Sequence, residues 1–194
     1  MMTEAGNLSS HLHTAIIICP RTVGIGKTVR KGTGGRDRMR ERGTMEEKVR
    51  LVVTGRQKDE TGEEAVTELR AEARLFERNG SIYILYEELQ EGAAIRNTLK
   101  LKGSILEMTK EGAVRTRMIF QPGKEYMTEY ATPYGCLQMG VRTETVEVLR
   151  ESGTLRVRAV YTLTSGGYPV SDCELILEAE PVFSQEIVTV QTGH

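Results

Sequence analysis

The residues of this chain that could do chemistry are its tyrosines and threonines, because its histidines stand in the wrong places. Three histidines occur, His11, His13 and His194, all near the ends of the 194-residue sequence. Between them there is no imidazole to serve as base, proton shuttle or metal ligand, so Ser–His and Cys–His nucleophile systems are excluded from the body of the chain. The three cysteines, Cys19, Cys136 and Cys173, are odd in number and lack paired spacing, which suits a reducing cytoplasm. Cys173 alternates with Leu175 and reads as core. Cys136 follows a turn glycine and reads as a small buried hydrophobe, with a reactive thiol as the alternative. Glu87 and Glu88 point to opposite faces of one strand, so they form no acid–base pair and read as a solvated strand end. Arg115, Arg117 and Lys124 would form a cationic patch, read here as an outward salt-bridged face.

Two motifs near the start imitate known sites. Gly24-Ile25-Gly26-Lys27-Thr28 resembles a phosphate-binding loop, but that motif needs glycine six residues before the lysine, and Arg21 stands there. His11, His13 and Cys19 could approach a metal only by chance, so neither a metal nor a cofactor is expected. What remains is a set of polar residues in an otherwise apolar register: Tyr86, Asn97, Thr116, Tyr126, Tyr130, Thr143 and Tyr161. A few hydroxyls and amides among apolar side chains are what a small-molecule pocket needs. The competing reading is that these groups satisfy one another.

The elements that must position them are strands. Asn79-Gly80 is the two-residue hairpin signal, since a type I′ turn needs positive φ at both central positions. Pro122-Gly123 suits a type II turn and Thr132-Pro133-Tyr134-Gly135 a type I turn. Weaker breaks fall at Asp59 to Gly62, Glu91-Gly92, Lys102-Gly103, Glu111-Gly112, Ser152-Gly153 and Ser165 to Pro169, so the chain is cut into as many as ten strands. Between the turns the period is two. Leu155, Val157, Ala159, Tyr161 and Leu163 alternate with Arg156, Arg158, Val160, Thr162 and Thr164. Val66 to Phe76 is rich in helix formers. Leu69, Ala71, Ala73 and Leu75 nevertheless keep the period of two, and short turns lie on both sides, so this stretch is a strand as well. One-sided strands belong to antiparallel sheets. A meander of eight to ten of them closes into a barrel, which removes exposed edges. The expected fold is therefore all-β, a single antiparallel meander barrel.

Charge divides the chain. Residues 1–44 carry a balance of +5 and hold no tyrosine or phenylalanine, whereas the remainder carries −6. A segment with one short apolar run cannot offset its ordering entropy, so a disordered basic extension is expected at 1–44, the barrel at 45–180 and a tail at 181–194. Codons for Gly34-Gly35-Arg36 through Glu41-Arg42-Gly43 are often purine-rich and precede Met45 at ribosome-binding-site spacing, so Met45 is the expected natural start. Ala15 to Ile18 is too short for a signal-peptide core or a membrane span, which need about 7–15 and about 20 apolar residues. Neither membrane nor nucleic acid is an expected partner, no oligomer is indicated, and the expected location is the cytoplasm.

Ile82-Tyr83-Ile84-Leu85-Tyr86-Glu87-Glu88, Thr98-Leu99-Lys100, Gly112 to Phe120, Gly123, Tyr130-Ala131-Thr132-Pro133-Tyr134-Gly135 and Thr143 resemble the YwiB-like family of bacterial proteins of unknown function, DUF1934. The resemblance covers about Glu46 to Glu180. It implies a calycin-like barrel, similar to lipocalin and fatty-acid-binding folds, in a cytoplasmic protein with no established activity. Lys110 stands where the family pattern has Arg, so a fixed guanidinium is not carried over. The function expected is binding of a small apolar or amphipathic molecule inside the barrel. The alternative is a protein-interaction or regulatory module with a solidly packed barrel, and an enzyme would have to work with Tyr, Lys, Glu or Cys136 alone.

Overall fold

A computed structural model describes residues 46–182, apart from Glu91, Pro133 and Tyr134. The readings made on residues 1–44, including the loop-like glycines and the start at Met45, lie outside the described residues, as do those on 183–194. Ten strands form one antiparallel sheet: β1 (Glu47–Asp59), β2 (Glu64–Arg78), β3 (Ser81–Gln90), β4 (Ala93–Lys102), β5 (Ile105–Gly112), β6 (Thr116–Phe120), β7 (Glu125–Thr132), β8 (Gly135–Glu151), β9 (Thr154–Ser165) and β10 (Tyr168–Pro181). Each strand pairs with its neighbours in sequence except at β6 and β7, and β1 pairs with β10, so the order runs β6-β5-β4-β3-β2-β1-β10-β9-β8-β7. The two ends of that order then meet. Arg115 and Ala131 exchange backbone hydrogen bonds of 3.0 and 2.9 Å, and the Thr128 hydroxyl donates to the Arg117 carbonyl at 2.8 Å. The sheet is a nearly closed, calycin-like barrel. No described helix is long and apolar enough to cross a membrane.

The turns follow local backbone chemistry. Asn79 and Gly80 have φ of 52° and 70°, both positive as the hairpin reading requires. Ser152 and Gly153, at 50° and 85°, repeat the device between β8 and β9. The helix-prone stretch of β2 is strand throughout, because β1 pairs with it from Glu47↔Leu75 to Lys58↔Glu64 and the paired backbone outweighs a few tenths of a kcal/mol of propensity per residue.

Period two sorts the side chains. Leu51, Val53, Leu155, Val157, Leu175 and Leu177 point inward and are at most 2% exposed. Burying each such side chain contributes about 1.5–3 kcal/mol. The outer face carries cross-strand ion pairs instead. Arg158 bridges Glu174 at 2.6 Å and Glu147 at 3.4 Å, Arg156 meets Glu178 at 3.3 Å, and Arg117 meets Glu107 at 2.6 Å. The predicted patch of Arg115, Arg117 and Lys124 is thus divided: Arg117 is paired, and Arg115 contributes its backbone to closure. Cys173 is core, but Cys136 is exposed, contrary to the buried reading. It follows Gly135 on the outward register of β8, where no partner covers its side chain with apolar atoms.

An antiparallel meander gathers alternate turns at the same end. The inner face is polar toward the end where β1 turns into β2, β3 into β4 and β5 into β6: Gln57, Asn97, Lys110, Thr116 and Ser171 are all buried there. Toward the opposite end the inner face is apolar, with Val49, Ile84, Leu101, Leu106 and Leu155.

Candidate functional site

Register builds a polar row across four strands. Tyr86 of β3 lies opposite Asn97 of β4, Asn97 opposite Lys110 of β5, and Lys110 opposite Thr116 of β6. Directly opposed residues share a face, so all four enter the barrel together. Thr116 and Thr128 then connect the row to β7, their hydroxyl oxygens 3.1 Å apart. Thr128 spends its proton on the Arg117 carbonyl, so Thr116 is the donor between them.

Inside this row sits an ion pair. Lys110 Nζ donates to Glu88 Oε1 at 2.7 Å, and the two side chains are only 3% and 7% exposed. Glu88 lies two residues beyond Tyr86 on the inward register of β3, so its carboxylate is a buried group and not a solvated strand end. Glu87, on the other face, is exposed. Burial, with the nearby Glu88 charge adding to it, raises the Tyr86 phenol far above its ordinary value, so it stays protonated as a donor at any physiological pH. Asn97 Nδ2 donates to the Ile95 carbonyl at 3.3 Å, while its Oδ1 is buried without a hydrogen-bond partner. Such an orphaned acceptor costs about 1–3 kcal/mol.

The wall next to this row is parted. β2 pairs with β3 only from Ala73↔Tyr86 to Arg78↔Ser81, yet β2 continues back to Glu64 and β3 onward to Gln90. Ala73 and Leu75, held between two strands, are buried, whereas Ala65, Thr67, Leu69 and Ala71, with β1 on one side only, stay half-exposed. A cleft of about 900 Å³ lies at the parting. Outward side chains such as Arg70, Arg74, Leu85, Glu87 and Arg96 line it, and from the inner register Ala71, Ala73, Tyr86 and Asn97 reach it. Arg70 and Arg74 are paired with Glu68 at 2.8 Å and Glu46 at 3.2 Å.

The seven residues expected from the sequence fall into two groups and one outlier, Tyr126. Tyr86, Asn97 and Thr116 belong to the row, and Tyr130 is buried on the same inward register of β7 as Thr128. Thr143 and Tyr161 stand opposite each other on β8 and β9, away from the row. Tyr161 continues to Cys173 on β10 and its ring packs edge-on against Phe120 at 4.9 Å. The Thr143 hydroxyl has no hydrogen-bond partner, the Tyr161 hydroxyl has the Cys173 thiol beside it, and burial drives the Tyr161 phenol well above its ordinary value. Tyr126 is half-buried and donates to Gln121 Oε1 at 2.6 Å, which turns its hydroxyl toward the β6–β7 turn. Glu88 and Lys110 are not among the seven: the sequence reading takes Glu88 for a solvated strand end and gives Lys110 no place in the site, whereas both are buried. Their signal was available: both keep the inward period of their strands, and a buried charge implies a buried partner. Among the described residues no group of three His, Cys, Asp or Glu side chains could hold a metal.

Among curated proteins, none matches the chain. Among solved structures, the barrel is similar to the one titled "Crystal structure of ywiB protein from Bacillus subtilis", with a TM-score of 0.64 and 18% identity, covering 71% of this chain and 94% of that one. At that identity the likeness is one of fold. A family model described as "Domain of unknown function (DUF1934)" matches residues 51–177, which run from the inner face of β1 to the inner face of β10 and include every residue of the polar row. With the match spanning the barrel and more than half of its length, the chain belongs to the DUF1934 family.

Proposed function

We propose that the protein binds a small amphipathic molecule at the parted wall between β2 and β3, with its polar group toward Asn97 and its apolar part along Ala71 and Ala73. The single observation that carries this reading is the coincidence of an open wall with an unsatisfied buried acceptor. A barrel that needed only to be packed would close β3 on β2 and bury Leu69 and Ala71 as it buries Leu75. It would also gain by placing an apolar residue at position 97, because an orphaned carbonyl stabilises nothing. Ligand pockets of this class commonly combine apolar walls with a few convergent polar groups.

A second reading has its own observation. Beyond Arg142, β8 has no partner strand on the side away from β9 among the described residues, and Val148 and Leu149 are 41% and 51% exposed there. An unpaired edge with apolar side chains suits a protein partner.

Native mass spectrometry of the full chain purified from its host separates the two. Ligand binding predicts a bound small molecule that is lost from an Ala71→Phe variant, whose ring fills the cleft mouth. A ligand-free chain retaining a second protein would favour the β8 edge, and a ligand-free monomer would refute the cleft reading.

A further inference from the structure

Resting on the cleft reading above, we infer that the head group taken there is an uncharged hydrogen-bond donor, such as a primary amide or an alcohol, and not a carboxylate, with Asn97 as the residue that selects it.

Asn97 is 1% exposed and reaches the cleft from the inner register of β4. Its Nδ2 gives one of its two N–H donors to the Ile95 carbonyl at 3.3 Å. Rotating the amide would set two oxygens against each other, so the backbone of its own strand fixes the orientation. The atom left without any partner is Oδ1, an acceptor, and a donor complements it.

A carboxylate needs a cation or several donors, and the one cation in the row is committed. Lys110, the cross-strand neighbour of Asn97, holds Glu88 at 2.7 Å, both side chains being nearly fully buried. The pair is neutral as it stands. A ligand carboxylate would add a second anion beside Glu88, and displacing Glu88 from Lys110 would strand that carboxylate in the interior. An ammonium head would leave an uncompensated positive charge in the same place. The Tyr86 phenol, protonated and opposite Asn97, suits a head group that both donates and accepts. This ligand chemistry differs from the anionic lipids that a fatty-acid-binding type of barrel would suggest. The difference follows from one register position: the barrel's inner cation already has its anion.

The rim carries charges of both signs, Arg96 and Glu111 among them, and all are solvent-exposed. Arg96 is the group through which a carboxylate would bind if head-group selection occurred at the surface.

Isothermal titration of the full chain with decanamide, decanol and decanoate at neutral pH tests the inference. Decanamide and decanol are expected to bind at least about tenfold more tightly than decanoate, and Asn97→Leu is expected to weaken decanamide about tenfold while leaving decanoate unchanged. Removing an orphaned acceptor leaves folding intact, which a thermal melt of the variant verifies. A second readout needs no variant: the Asn97 side-chain amide resonances shift on titration with decanamide. Decanoate binding as tightly as decanamide, with Asn97→Leu silent or Arg96→Ala abolishing it, overturns the inference while leaving the cleft reading standing, provided Ala71→Phe blocks all three probes. Failure of every probe to bind overturns both.

Discussion

Replacing Lys110 with Met leaves the Glu88 carboxylate in the barrel interior without a partner, and replacing Glu88 with Leu does the converse to Lys110. The pair is 2.7 Å apart with side-chain exposures of 3% and 7%. At an effective dielectric of about 20, two charges at that separation attract by roughly 6 kcal/mol, a figure largely offset by the several kcal/mol needed to dehydrate each ion. The pair as a whole therefore adds little, whereas breaking it is expensive. Each single substitution is expected to cost about 3–5 kcal/mol, out of a domain stability on the order of 5–15 kcal/mol. For a domain of this size that lowers the melting temperature by roughly 6–20 °C. The double variant Lys110→Met/Glu88→Leu removes both charges together and is expected within about 2 kcal/mol of the parent, or above it. The chain contains no tryptophan, so urea unfolding is followed by tyrosine fluorescence and far-ultraviolet circular dichroism. A double-mutant cycle reads the coupling directly. Single losses below about 1 kcal/mol that simply add in the double variant would refute the placement of a buried, coupled pair.

Two other groups lend themselves to measurement. Glu125, an exposed carboxylate, is held below its ordinary value first by the Thr164 hydroxyl at 2.7 Å and then by Arg142, the bond to Thr164 passing over Gly140, where a Cβ would lie 2.2 Å from the Thr164 oxygen. A depressed carboxylate contributes stability that is present above its unfolded value and is lost as the pH falls through its folded one. The melting-temperature gap between parent and Thr164→Val should therefore be wide near neutral pH and narrow at about pH 3, and an equal gap at both would contradict the assignment. Burial pushes the Cys173 thiol up to about 12, while exposed Cys136 is raised by its hydrogen bond with Glu129. In a Cys19→Ser background, native protein should let iodoacetamide reach Cys136 slowly, faster after Glu129→Gln, and Cys173 only on unfolding. Equal labelling of both cysteines in the native state would show that β10 is not packed as described.

The barrel was legible because its signals are local. A positive φ at Asn79-Gly80 is a property of two residues, and alternation in Leu155 to Leu163 is read within one strand. The candidate site was legible in part. Tyr86, Asn97 and Thr116 kept an apolar period, and the structure sets them in one row. Tyr126 kept the same period, but Gln121 takes its hydroxyl, a contact that depends on how the β6–β7 turn folds back. Cys136 was misjudged because a position next to a turn glycine says nothing about which strand covers it.

The sequence by itself determined that this chain forms eight to ten alternating strands, that their inward register is apolar with a scatter of polar residues, and that no histidine occurs between His13 and His194. Only the tertiary structure decided that Glu88 and Lys110 neutralise each other, that Asn97 is left with an unmatched acceptor, and that β3 parts from β2 beside it. The physical reason is that alternation says which face a residue takes, whereas the partner across the sheet is set by register. A charge 22 residues away in sequence becomes a neighbour only when β3, β4 and β5 are aligned.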